Sequence, residues 1–365
     1  MKYVDEYRDR KKAEELLKEI HRISKRDVSL MEVCGTHTVS IFKNGIHDLL
    51  PQNISLVSGP GCPVCVTPIE DIDKIIQISR QDTIVCLFGD MMKVPGSFSD
   101  LKRERMNGAD IRVVYSTSDA LSIAKENRSK KVVFFGIGFE TTSPTIASAV
   151  INAEKSGIDN FFVLSSHKLL PPALGALVNR EGFQINGFIC PGHVSSMIGM
   201  RPYEKVAEEY HVPCVVAGFE PLDIIQSVYM LVRQIEGKEA KAEIQYRRGV
   251  SPEGNRHAMD ILFQVFEPSD SKWRGLGVIP KSGLKVKEEY QAFDAEEVFD
   301  IEVKEVSEPE GCLCSEVIMG EKTPLACPLF SEVCNPENPV GPCMVSSEGT
   351  CGTYYRHRRR SYERQ

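Results

Sequence analysis

The sequence predicts an α/β protein made of two similar, duplicated parallel-sheet lobes followed by a loop-rich C-terminal iron–sulfur domain. Three observations carry that expectation. From about residue 29 the chain alternates short apolar runs with a Gly-, Ser- or Pro-bearing turn and a helical stretch, the pattern of βα units on a parallel sheet. Eight such units follow one another, with strands beginning near 30, 55, 83 and 111 and again near 132, 161, 187 and 213. Each unit thus recurs about 102 to 106 residues later, as in a duplicated domain. Beyond Ile235 the alternation dissolves, and Cys, Pro and Gly become dense.

Taken in order, residues 1–28 read as an N-terminal helix, because Leu16, Leu17, Ile20 and Ile23 recur at helical spacing among charges. Residues 29–128 form the expected first lobe, with CGTHT and GPGCPVC on its loops, and residues 129–240 the second. Residues 241–365 form the third unit, which needs a metal centre to hold its shape. It includes a stretch from Lys287 to Glu310 with ten acidic residues and two lysines. In open parallel sheets ligands gather at the C-terminal strand ends, so CGTHT, GPGCPVC, FGDMMKVPG, GFETTSPT, SSHKLLPP, PGHVS and GFEPLD lie on functional edges.

Composition narrows the function. The 365 residues carry 44 Lys plus Arg against 51 Asp plus Glu, a net charge of −7, and 42% hydrophobic residues. The mild acidity argues against nucleic-acid binding, and the one basic cluster, Arg356 to Arg360, reads as a solvated tail. No apolar run is long enough to span a bilayer, since even Val132 to Phe139 is broken by Gly136 and Gly138. The charged start lacks the apolar core of a secretory signal, which places the chain in the cytoplasm. There, twelve cysteines point to metal ligands, redox thiols or core residues rather than to a disulfide framework.

Two cysteine groups stand out. Cys34 in CGTHT and the pair Cys62 and Cys65 in GPGCPVC lie on neighbouring strand ends, where three sulfurs can meet at one point. A CxxC pair chelates one metal or closes a small disulfide ring, and N–H groups at a helix start favour the thiolate. His37 is placed to orient or protonate a sulfur, or to serve as an ordinary buried hydrogen-bonding residue. The second group, Cys327, Cys334, Cys343 and Cys351, has the spacing C-x6-C-x8-C-x7-C with Pro and Gly interleaved. Wide, unequal spacing suits an iron–sulfur cluster better than zinc, whose ligands come as tight pairs. Cys312 and Cys314 lie just upstream as spare thiols, an alternative ligand pair or a relay. Cys86, Cys190 and Cys214 sit in apolar runs and read as core residues. His167 and His193 occupy strand-end loops, and Glu140 with Thr141 and Thr142 is either a polar cleft wall or a helix cap. Neither GxGxxG nor GxxxxGK[ST] is present, so a nucleotide site has no sequence support.

Together MEVCGTHT, GPGCPVCVTP, FGDMMKVPGS, GFETTSPT, PGHVSSMIG and the C-terminal C-x6-C-x8-C with GPCMVSSEGTC resemble the HypD family of hydrogenase maturation factors, over about residues 30 to 355. The one visible departure is Ser143, where the pattern suggests a third Thr. The resemblance implies two α/β lobes plus a cluster-bearing domain. It implies a scaffold that binds iron and on which the Fe(CN)2CO group of [NiFe]-hydrogenases is assembled. The implied partners are a HypC-type small chaperone that shares the iron and a HypE-type protein that donates cyanide. By motif, Cys34, Cys62 and Cys65 match the family's iron-site cysteines, and Cys327, Cys334, Cys343 and Cys351 its [4Fe–4S] ligands. The competing reading is a stand-alone thiol–disulfide oxidoreductase fed by the cluster; a zinc-stabilised binding module is the third.

Overall fold

A computed structural model describes residues 8–303 and 306–357. Arg358, Arg359 and Arg360 of the basic cluster lie outside them, as do residues 1–7 of the expected N-terminal helix. The first helix, Arg10–Ile23, is capped by Asp9, whose carboxylate accepts the N–H groups of Lys11 and Lys12. It buries Ile20 against the helix Pro221–Glu236.

All eight expected strands form, each starting within two residues of its expected position. They are β1 (Val28–Glu32), β2 (Ile54–Ser58), β3 (Thr83–Leu87), β4 (Asp110–Val113), β5 (Lys131–Gly136), β6 (Phe161–Ser165), β7 (Gly187–Pro191) and β8 (Cys214–Ala217). A short ninth, β9 (Ala242–Ile244), extends one sheet. Every pairing in the two large sheets is parallel. Strands such as β3 and β5 read as continuous apolar runs because a parallel sheet is covered on both faces, and β3 is buried throughout.

The strands are shared between the sheets differently from the expected halves. One sheet has the order β2-β1-β7-β8-β9 and the other β4-β3-β5-β6. Strands β3 and β4, expected with the first lobe, pair with β5 and β6, while β7 joins β1 through Leu30↔Gly187. The boundary expected at residue 128 therefore falls within one sheet. The lobes are nonetheless alike, since both run second–first–third–fourth in their own strands. The second lobe sits whole between β2 and β7 of the first. A fixed offset between strands records spacing along the chain, which every βα unit shares; edge-to-edge hydrogen bonding is what assigns a strand to a sheet.

The region after residue 241 is less irregular than its composition suggests. It contains the helix Arg256–Val265 and an antiparallel hairpin of β10 (Phe266–Trp273) and β11 (Gly277–Val286). Phe266, Leu284 and Val286 pack into the second lobe's core with Phe134 and Phe161. From Cys312 onward the elements are short turns of helix strung through loops.

Candidate functional site

The site begins where β1 and β2 end side by side. Cys34 is the extended residue at the head of the helix Gly35–Lys43, and its carbonyl accepts the N–H groups of His37 and Thr38. Cys62 caps the turn Pro63–Val66, and its sulfur accepts the Cys65 N–H at 3.4 Å. Gly61 brings the two motifs together: a Cβ there would lie 2.1 Å from the Cys34 nitrogen, so only glycine lets GPGC cross directly over Val33 and Cys34. All three cysteines are buried free thiols.

Burial, more than the helix start, sets the chemistry of Cys34 and Cys65. The Cys34 thiol is pushed up to about 12 by desolvation, despite the N–H of His37, with Glu32 and Glu348 adding to the rise. Cys65 is also raised by burial. The expected thiolate-favouring helix start is therefore outweighed, and anionic sulfur here requires a metal or another positive charge. Beneath Cys34, Glu32 accepts the Cys34 N–H at 2.9 Å and the Thr38 hydroxyl, and burial lifts its carboxyl to about 8. Sequence reasoning passed over Glu32 because it reads as the last residue of a strand.

His37 is fully buried, stacks on Phe219 and donates from Nε2 to the Gly218 carbonyl at 3.0 Å. Burial lowers its pKa to about 4, so the ring is neutral, with Nδ1 unpartnered. Its hydrogen bond thus goes to the β8 loop rather than to a sulfur. His193 leans on the same Phe219, lowered to about 4 by burial. His167 is buried 2.9 Å from the Ser165 hydroxyl and lowered to about 3, chiefly by burial. Glu140 reaches across to accept the N–H of Leu170 at the head of the helix Leu170–Val178, so it serves a different helix from the one it precedes. Cys86, Cys190 and Cys214 are core residues, as expected.

The C-terminal cysteines close over this site. The backbone around Glu348 covers the head of the Cys34 helix so tightly that a Cβ on Gly35 would lie 2.5 Å from the Glu348 carbonyl oxygen. The Glu348 carboxylate accepts the Thr36 hydroxyl at 2.7 Å. The turn Pro342–Val345 packs on the turn Pro63–Val66 and sets Cys343 beside Cys65. Cys343 in turn lies near Cys351 and 2.9 Å, sulfur to sulfur, from Cys314, which has Cys312 beside it. A continuous file of thiols therefore runs from Cys62 and Cys65 through Cys343 to Cys351, Cys314 and Cys312. Cys334 is buried, with its sulfur accepting the Val340 N–H at 3.3 Å. Cys327 is partly exposed and bonds only weakly, to the Gly311 carbonyl at 3.7 Å. Of the four expected cluster cysteines, Cys343 and Cys351 are in contact. Cys314, whose role the sequence left open, is as central as either.

Among the described residues, no three Cys, His, Asp or Glu side chains converge on one point as a single ion demands. A four-iron cluster is larger than an ion and takes its ligands around its periphery. The donor set fits such a group: soft thiols, almost all buried, interleaved with small residues that let a bulky centre approach. Gly341, for instance, lies so close to Cys312 that a Cβ would be 3.0 Å from that sulfur.

Among the described residues no helix is long and apolar enough to cross a membrane. Residues 11–358 match the HypD family, described as "Hydrogenase formation hypA family". A putative hydrogenase expression/formation protein of Methanocaldococcus jannaschii is 45% identical over 354 residues, covering 96% of this chain and 98% of its own. Hydrogenase maturation factor HypD of Rhodobacter capsulatus is 45% identical over 370 residues and 98% of both chains. That of Escherichia coli is 44% identical over 372 residues and the full length of both.

Proposed function

The chain belongs to the HypD family of hydrogenase maturation factors, and from that membership we propose that it is the cytoplasmic scaffold on which the Fe(CN)2CO group is assembled, together with HypC-type and HypE-type partners. Iron is the cargo, with Cys34, Cys62 and Cys65 as its ligands; the three sulfurs, expected to meet at one point, lie on adjoining turns without converging on one ion, so taking up iron has to draw them together. Soft thiolates suit iron carrying diatomic ligands and leave positions open for a partner's thiolate. The observation that carries the reading is the packing of the Cys343 turn on the CxxC turn, which sets the buried C-terminal thiols directly beside this site.

In this mechanism the dithiol of Cys62 and Cys65, the state seen here, closes to a disulfide as it passes two electrons to the HypE-type cyanide donor and releases two protons. An external reductant returns two electrons, with two protons taken up, to reset it. Electrons enter at the Cys65–Cys343 contact. A [4Fe–4S] cluster held by Cys327, Cys334, Cys343 and Cys351, with Cys314 beside them, supplies one-electron chemistry when bound. Glu32 fixes the Cys34 backbone and holds a proton beneath it. His37, neutral and bonded to Gly218, fixes the helix that carries Cys34.

Infrared spectroscopy tests this on protein purified anaerobically with its small partner from cells carrying the other maturation factors. Cyanide and carbonyl bands are expected, and Cys34→Ala or Cys62→Ala should abolish them. Brown protein without such bands under any co-expression would favour the thiol–disulfide oxidoreductase instead, and colourless zinc protein the binding module.

A further inference from the structure

Arg274 follows β10 and is buried to 2% exposure. Its backbone N–H donates to the Val66 carbonyl, one residue after Cys65, at 2.9 Å. Behind it Gly275 lies against Ser315, where a Cβ would sit 3.0 Å from the Ser315 Cα. The residue is thus wedged between the CxxC turn and the Cys312–Cys314 segment. A guanidinium commonly meets a carboxylate through two parallel N–H bonds. Here both Glu308 oxygens lie on Nε alone, at 2.8 and 3.1 Å, and Nη1 and Nη2 are buried with no partner among the described residues. Four charged N–H donors without acceptors are costly in a protein interior, and structural arginines normally spend them on carbonyls. After Glu308, the sulfurs of Cys314 and Cys343 contribute most to the field at this charge, and both lie beyond hydrogen-bond reach of the Nη groups.

We propose that Arg274 is the positioning residue of the cysteine centre, its unpartnered Nη groups serving reduced sulfur at the Cys314 and Cys343 end of the centre, whether cysteine thiolate drawn within reach or cluster sulfide occupying the space between. This rests on the iron–sulfur reading of the C-terminal cysteines given above. The guanidinium is the buried positive charge that the sulfurs otherwise lack. It stabilises the more negative, reduced state beside the CxxC pair, while Glu308 partly offsets it.

The test uses the full chain, reconstituted anaerobically with ferrous iron and sulfide, as wild type, Arg274→Gln, Arg274→Lys and Glu308→Gln. Optical redox titration should show that Arg274→Gln makes reduction about tenfold less favourable, about 59 mV more negative for one electron. Arg274→Lys, which keeps the charge, should stay within about threefold of wild type, and Glu308→Gln should shift the midpoint the opposite way. A midpoint unchanged in both Arg274→Gln and Glu308→Gln overturns the proposal, as does a Lys variant no better than Gln. If Arg274→Gln does not fold, Glu308→Gln decides alone. Wild type that takes up no iron and sulfide sinks the cluster reading but still tests Arg274. In that case mass-mapped thiol labelling gives the thiol/disulfide midpoint of Cys314 and Cys343, which Arg274→Gln should make about tenfold easier to oxidise; an unshifted midpoint overturns the role.

Discussion

Glu32 shows how a single buried side chain near the site responds to its surroundings. Its folded pKa, about 8, lies above the ordinary 4.5, because burial penalises the charged form more than the Thr38 and Cys34 hydrogen bonds favour it. The folded protein keeps this proton while the unfolded chain releases it above pH 4.5. Stability contributed by the protonated form is therefore full below that value and falls as pH rises toward 8. The loss by pH 7 amounts to roughly 3 kcal/mol. In urea titrations between pH 5 and 8, Glu32→Gln should flatten this dependence; an unchanged slope would place the titration elsewhere. Glu32 ends an apolar strand in the sequence, and only the fold shows that it lies under Cys34, buried from solvent.

Helices and strands are held in register by side chains whose role is invisible in periodicity. Asn160, just before β6, donates from its amide nitrogen to the carbonyls of Ala124, Asn127 and Lys130 at 2.9 to 3.0 Å, tying the end of the helix Thr117–Glu126 to the start of β5. Asn160→Ala leaves these carbonyls without that donor and should cost about 1–3 kcal/mol, read as a lowered urea midpoint with an unchanged slope. A cost below about 0.5 kcal/mol would mean that water replaces the amide. The existence of these elements was legible, because each apolar run is bounded by turn residues. The staple was not, because an Asn before a strand reads only as a loop residue.

Over the whole molecule, the interleaving of the two sheets predicts how fragments behave. A piece spanning 29–128 holds β1 and β2 of one sheet and β3 and β4 of the other, without β7 or β5 to complete either. It should show no cooperative unfolding by circular dichroism. A sharp transition would restore contiguous lobes. The same interleaving carries Cys343 to Cys65, some 280 residues away along the chain, because the C-terminal turns pack back onto the ends of β1 and β2.

By itself the sequence determined the α/β class, the starts of eight strands and the family, because each is written in local patterns of apolar period, turn residues and short motifs. Tertiary structure alone decided which strands share a sheet, that Glu32, Glu348 and Arg274 border the thiols, and that burial rather than a helix start governs Cys34. Those depend on contacts between distant segments and on the exclusion of water, and neither leaves a periodic mark in the chain.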